Sequence, residues 1–331
     1  PYIVAEISAN HLGSFSRARE LVEAAAESGA DAIKLQTYKP DTMTLDLSEF
    51  SISKTHELWG GINLYKLYGE AMTPWEWHPE LFELARSKGI DAFSSPFDRT
   101  AVDFLESLNC PFYKIASMET GDVDLIKYVA SKNKPIIMST GASTMAEIKN
   151  AVEATQGSLG KVTLLVCTSS YPANPSDAHL SRISTLREAF GLEVGVSDHT
   201  LGIGVSVAAT ALGATVIEKH FTLDRKDGGH DSAFSLEPKE FASLVSECRN
   251  ASSSIGSSKW VVMEAEEESR KLRRSLFISQ NVKKGEIATR ENVKALRPNF
   301  GGPIVSLPSI LGCKFRNDYA MGTPATIECV E

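Results

Sequence analysis

Two histidines stand at the ends of neighbouring apolar runs, His199 in VSDHT and His220 in VIEKH. One histidine alone is more often a hydrogen-bonded structural residue than a ligand. Two neutral imidazoles brought to one mouth from adjacent elements can hold a divalent metal. Other polar residues follow the same placement. Apolar runs end in Glu6, Ser8, Asn10 and His11, in Lys34 and Gln36, in Ser94 and Ser95, and in Lys114, Ser117 and Glu119. Later runs end in Ser139 and Thr140, in Thr168, Ser169, Ser170 and Tyr171, and in Ser197 and Asp198. Lys34 and Lys114 among Ser95, Ser117, Ser139 and Ser169 supply what a phosphate monoester needs, positive charge together with many donors. Two other readings stay open. The lysines could form a structural network with Glu6 or Glu119, or Lys114 or Lys219 could be a desolvated, imine-forming nucleophile of an aldolase. No Gly-x-x-x-x-Gly-Lys loop and no dinucleotide fingerprint occurs, which disfavours nucleotides. Trp75, Trp77 and Phe82 read as packing. His56, His78, His179 and His230 have no convergent partners, although His230 beside Asp231 in a Gly-rich loop could reach the same mouth.

Such residues must be carried to one place, and the elements that would do so are legible. Short β-branched or apolar runs alternate with helical segments up to about residue 254, the pattern of a parallel sheet. Eight strands are expected, at 3–8, 32–36, 91–94, 112–115, 135–139, 162–166, 193–196 and 216–219. Eight strand-helix units imply the α/β class and a (β/α)₈ TIM barrel, whose reactive groups gather at the C-terminal ends of the strands. Residues two apart, such as Lys34 and Gln36, then share a face. Helix starts are expected at Thr73, with Pro74 and Glu76 completing a capping box, and at Thr144 with Glu147. The connection over residues 40–72 is too long for an ordinary βα loop, carries Trp59, Tyr65 and Tyr68, and should cover the barrel mouth. Past Ile255 the chain turns Ser/Gly-rich and then strongly charged (EAEEESRKLRR). The expected organisation is a barrel over 1–256, a linker over 257–274 and a small domain of mixed type over 275–331.

The 331 residues, 42% apolar and 23% charged, can bury a large core. A net charge of −8 disfavours nucleic acid as a partner. The five cysteines, Cys110, Cys167, Cys248, Cys313 and Cys329, are odd in number, without a Cys-x-x-Cys pair, and read as reduced thiols. No secretory leader and no apolar run of membrane-spanning length is recognisable. No membrane association and a cytoplasmic location are expected.

Taken together, the motifs AEISANH (5–11), DAIKLQTY (31–38), YKIAS (113–117), IIMSTG (136–141), SDHTLG (197–202) and EKHF (218–221) resemble the sialic acid synthase family. RRSLF (273–277) and LRPNFG (296–301) look like the small antifreeze-like, or SAF, domain of that family. TPWEWH (73–78), SSPFD (94–98) and DGGHDSAFSLEP (227–238) look like its pseudaminic branch, with the N-acetylneuraminate and legionaminate branches as alternatives. The resemblance implies condensation of phosphoenolpyruvate with an N-acylated amino sugar, here 2,4-diacetamido-2,4,6-trideoxy-L-altrose. It implies Glu6, His199 and His220 as catalytic residues, with His199 and His220 holding Mn²⁺ (or Mg²⁺ or Co²⁺). Lys34, Ser95, Lys114, Ser117, Ser139 and Ser169 would then hold the phosphate and carboxylate, and Gln36, Glu119, Tyr171, Ser197 and Asp231 would line the substrate site. Arg297 would reach the site of a second subunit in a domain-swapped homodimer, although Asn299 departs from the family's Arg-Pro-Gly. A barrel that binds saccharide without turnover is the non-enzymatic alternative.

Overall fold

The computed structural model describes residues 1–54, 58–156 and 161–331, so that His56 lies outside the described residues. Two compact units divide the chain, Pro1–Gly256 and Ser257–Glu331.

The first unit is a closed barrel of eight parallel strands in sequence order. They are β1 (Tyr2–Glu6), β2 (Ala32–Thr37), β3 (Asp91–Pro96), β4 (Tyr113–Ile115), β5 (Ile136–Ser139), β6 (Val162–Cys167), β7 (Glu193–Asp198) and β8 (Val216–His220). β1 closes the ring by pairing with both β2 and β8, which sets Glu6 level with Lys34 on one side and His220 on the other. Alternation then sorts the polar residues. In β8, Glu218 and His220 face the lumen, and Lys219 faces outward into a fully buried ion pair with Asp198 at 2.8 Å. Lys219 cannot serve as an imine-forming lysine in the barrel mouth. Thr37 and Ser94 likewise point behind the wall, where their hydroxyls meet at 2.6 Å and Thr37 contacts His78 Nε2 at 2.8 Å.

The ring of helices comprises α1 (Phe15–Glu27), α2 (Pro40–Met43), α3 (Leu64–Ala71), α4 (His78–Ser87), α5 (Arg99–Ser107), α6 (Val123–Ala130), α7 (Met145–Ala154), α8 (Arg182–Phe190), α9 (Gly204–Ala211) and α10 (Pro238–Ser254). The capping box at Thr144 forms as expected, with reciprocal bonds to Glu147. The one expected at Thr73 does not form. Trp75–Trp77 make a single 3₁₀ turn, and α4 begins at His78 with Pro79 in its first turn. Pro79 lacks an N–H and fits a first turn, so the helix starts four residues later than a cap at Thr73 would have set it. Trp75 stacks on Phe104 with centroids 4.7 Å apart, Trp77 packs on His11 and Phe15, and Phe82 is buried, which is the packing role expected of them.

In the second unit β9 (Ser275–Ile278) and β10 (Val293–Leu296) form an antiparallel pair over a small core that includes Leu276, Ile278, Val293, Ile310 and Phe315. The charged segment joins this unit through a bond from Asn299 N–H to the Lys271 carbonyl (2.9 Å). All five cysteines are free thiols. Among the described residues no helix is long and apolar enough to cross a membrane.

Candidate active site

A cavity of about 320 Å³ opens at the C-terminal ends of the barrel strands. Of the fifteen residues given catalytic or binding roles from the sequence, twelve lie in its wall: Lys34, Gln36, Ser95, Lys114, Ser117, Glu119, Ser139, Tyr171, Ser197, His199, His220 and Asp231. Three do not. Ser169 stands just behind the wall, Arg297 belongs to the other unit, and Glu6 is fully buried beneath Lys34 and Gln36. Gln36 Nε2 donates to Glu6 Oε1 (3.3 Å) and to Ser8 Oγ (2.8 Å), and Lys34 Nζ sits 2.9 Å from Glu6 Oε2.

Glu218, one strand layer deeper and opposite Val4, faces the cavity as Glu119 and Asp231 do. It meets Lys34 at 2.8 Å and Lys114 at 3.6 Å and accepts a bond from Ser197 Oγ at 2.9 Å. Burial pushes its carboxyl up, but the Lys114 and Lys34 ammonium groups outweigh this and hold it well below the usual carboxylate range. Burial lowers the Lys34 ammonium to about 8 despite the attraction of Glu218. The triad has two positive charges to one negative, and Lys34 also faces Glu6. Lys114, the ammonium farther from a carboxylate, is the less neutralised charge in the cavity.

Around it the hydroxyls are prepared for a guest. The buried Ser95 and Ser139 Oγ atoms have no hydrogen-bond partner, and neither have Glu119 Oε2 and Glu218 Oε2. Buried polar atoms rarely stay unpaired in a folded protein, so this cluster marks where ligand atoms fit. Gly141 lets the hydroxyls close in. A Cβ there would lie 2.3 Å from Ser169 Oγ and 2.8 Å from Ser117 Oγ, and the glycine N–H donates to Ser117 Oγ at 3.1 Å.

His199 and His220 are both buried, with ring centroids 5.3 Å apart. His199 Nδ1 faces the Thr168 carbonyl at 2.9 Å, and because a carbonyl only accepts, Nδ1 carries a proton and Nε2 is the atom with a lone pair in the neutral ring. His220 Nδ1 is buried without a partner, and burial, followed by the nearby His199, keeps this imidazole neutral. Burial lowers His199, but its contacts with Cys167 and the Thr168 carbonyl outweigh this and raise it, so the pair offers two nitrogen lone pairs to a divalent transition-metal ion once His199 has given up its extra proton. No group of three His, Cys, Asp or Glu side chains able to hold an ion occurs among the described residues. The two imidazoles are the side-chain donors that the cavity would offer such an ion.

Of the other histidines, His78 and His230 differ in their surroundings. His78 is fully buried, bonded to Thr37, and lowered to about 4 by burial. His230 does reach the cavity wall, where its ring faces Glu70 at 3.3 Å. Glu218 was visible in EKH as the residue two before His220 and hence on the same face. Cys167, which also lines the cavity, carried no such signal.

A family model described as NeuB family matches residues 21–260. The chain belongs to the NeuB family. Among NeuB-family relatives, the pseudaminic acid synthase of Helicobacter pylori is 44% identical across 100% of this chain and 98% of its own. A pseudaminic acid synthase of Campylobacter jejuni is 42% identical over 97% of this chain and 94% of its own. The crystal structure of an N-acetylneuraminic acid synthetase from Leptospira borgpetersenii, in complex with citrate, is 32% identical with a TM-score of 0.73. It covers 81% of this chain and 89% of that one.

Glu119 gives this wall a pH dependence. Burial raises its carboxyl to about 7, so it is neutral below that pH and a carboxylate above it. It lies within electrostatic reach of Lys114. Ionisation adds a negative charge opposite any anion held there, and affinity for phosphoenolpyruvate is expected to fall severalfold as pH rises through about 7. The second ionisation of a phosphate monoester, near pH ~6, affects wild type and variant alike. Binding titrations from pH 6 to 8 should therefore show the fall in wild type and a flatter profile in Glu119→Gln; equal profiles would remove Glu119 from the anion's surroundings.

Proposed function

We propose that this chain condenses phosphoenolpyruvate with 2,4-diacetamido-2,4,6-trideoxy-L-altrose to give pseudaminic acid and phosphate. The observation that carries the reading is the cavity floor. Two buried ammonium groups stand beside partnerless serine hydroxyls and two metal-competent imidazoles, on a chain alike from end to end to synthases named for that acid.

Lys114 and Lys34, with Ser95, Ser117 and Ser139, hold the phosphate and carboxylate of phosphoenolpyruvate, and Glu218 keeps the two ammonium groups from repelling one another. Gln36, Glu119, Tyr171 and Asp231 position the sugar, and Ser197 orients Glu218. Mn²⁺, with Mg²⁺ or Co²⁺ as substitutes, would be held by His199 and His220 and would polarise the sugar aldehyde. The enol carbon bonds to the aldehyde carbon, whose oxygen takes up a proton. Water adds to the carbon bearing the phosphate, and that tetrahedral centre loses phosphate by carbon–oxygen cleavage. Glu6 holds Lys34 and is the candidate for orienting the aldehyde or moving protons. Residues 275–331 act as a SAF-type domain, and Arg297 reaches the sugar's acyl group in the site of a second subunit of a domain-swapped homodimer.

Phosphate release from phosphoenolpyruvate with Mn²⁺ is the test, with the altrose derivative in one tube and N-acetylmannosamine in another. Release with the altrose derivative alone is expected, and a chelated control should fall to background. Release with N-acetylmannosamine alone would move the chain to another branch of the family. Binding of both substrates without release would favour the non-catalytic alternative.

A further inference from the structure

The cavity has two zones of opposite chemistry. Its floor, at the strand ends, is cationic and rich in hydroxyls, whereas its roof is supplied by the connection over residues 40–72. There α3 places Leu64, Leu67, Tyr68 and Ala71 in the cavity wall. These positions follow the i, i+3, i+4, i+7 spacing of one helical face, and Ile52 extends the same surface. Lys66 and Glu70 lie exposed on other faces. An amphipathic helix ordinarily lays its apolar stripe on a protein core. This one turns it toward the space where substrate must sit.

The helix is fixed there. Asn63 caps it by accepting a bond from Lys66 N–H (3.1 Å), and Leu64 N–H donates to the Phe50 carbonyl (2.9 Å). Trp59 Nε1 donates to the His230 carbonyl (3.0 Å), tying the same connection to the loop after β8.

The charged and reacting groups of both substrates belong on the floor, so the non-reacting end of the sugar lies under the roof. We propose that the apolar face of α3 is a specificity subsite for the deoxygenated end of the sugar. It accepts a C6 methyl group and rejects a C6 hydroxymethyl, which would lose its water there without gaining a partner. This inference rests on the proposed condensation reaction and names the part of the site that selects the acceptor.

The test compares 2,4-diacetamido-2,4,6-trideoxy-L-altrose with its 6-hydroxy counterpart by phosphate release, in wild type, Leu64→Asn and Leu64→Met. Leu64 opens α3 and is only half-buried, so both variants should fold. Wild type is expected to favour the 6-deoxy sugar at least about tenfold in kcat/KM, within the range an apolar pocket achieves against an added hydroxyl. Leu64→Asn should reduce that preference to about threefold or less through KM for the sugar, with KM for phosphoenolpyruvate unchanged, and Leu64→Met should keep it. Turnover by wild type with an unchanged preference in Leu64→Asn would overturn the subsite alone. Absence of turnover with either sugar would overturn the proposed function and the subsite with it.

Discussion

Replacing Lys114 with methionine is expected to lower kcat/KM for phosphoenolpyruvate by about 10³, roughly 4 kcal/mol at 1.36 kcal/mol per decade. The size follows from how the two cavity ammonium groups are neutralised. Lys34 is held between Glu6 at 2.9 Å and Glu218 at 2.8 Å, so most of its charge is already answered by protein. Lys114 has its carboxylate contact with Glu218 at the longer distance of 3.6 Å, and it stands in the wall with Ser117 and Ser139. An arriving trianion therefore gains more from Lys114 than from Lys34. The two substitutions should also differ in kind. Lys114→Met leaves Glu218 its closer partner Lys34 and should lower the melting temperature less than Lys34→Met does. Lys34→Met strips two buried carboxylates of their nearest cation and should damage folding as well as binding. Calorimetric titration with phosphoenolpyruvate, beside steady-state phosphate release, separates these outcomes. A Lys114→Met protein with wild-type affinity for phosphoenolpyruvate would show that the anion lies elsewhere.

Much of this site was legible because barrel strands alternate strictly. Lys34 and Gln36, or His220 and the residue two before it, must share a face, and a strand end near residue 114 must open on the same mouth as one near 199. What alternation does not reveal is depth. Glu6, singled out at the end of the first strand, pairs level with Lys34 and His220 and is fully buried in contact with Lys34 and Gln36. Glu218 starts a layer lower and still reaches the cavity. The length of neighbouring side chains decides that contest, and it is a tertiary property. The Thr73 box failed for a local reason, since Pro79 offered a competing first turn. The stripe on α3 was hidden differently: Leu64, Leu67 and Tyr68 at helical spacing have the signature of core packing, and only the closed barrel reveals that they face a cavity. Arg297, in the separate unit, rests on the resemblance of its motif alone.

Glu218→Gln should be among the most destabilising single changes in the barrel and the one most readily reversed by substrate. In wild type the carboxylate stands between two buried ammonium groups and also accepts the Ser197 hydroxyl. Removing its charge leaves Lys114 without a carboxylate partner and Lys34 with Glu6 alone, and breaking a buried pair in this way costs about 3–5 kcal/mol. For a barrel of this size that corresponds to a fall of about 10 °C in Tm. The pH dependence has a definite sign. The folded-state pKa is depressed below the unfolded value of about 4.3, so the contribution is present in full at neutral pH and is lost as pH falls toward that depressed value. Melts of wild type and variant should therefore converge in acid. Phosphoenolpyruvate, by the proposed binding mode, places its own negative charge beside the same lysines. Saturating ligand should raise the variant's Tm by more than it raises that of wild type, even where turnover is lost. Equal ligand-induced shifts in the two proteins would mean that the anion does not replace what Glu218 supplies, and the assignment of Lys34 and Lys114 as its binding groups would fall.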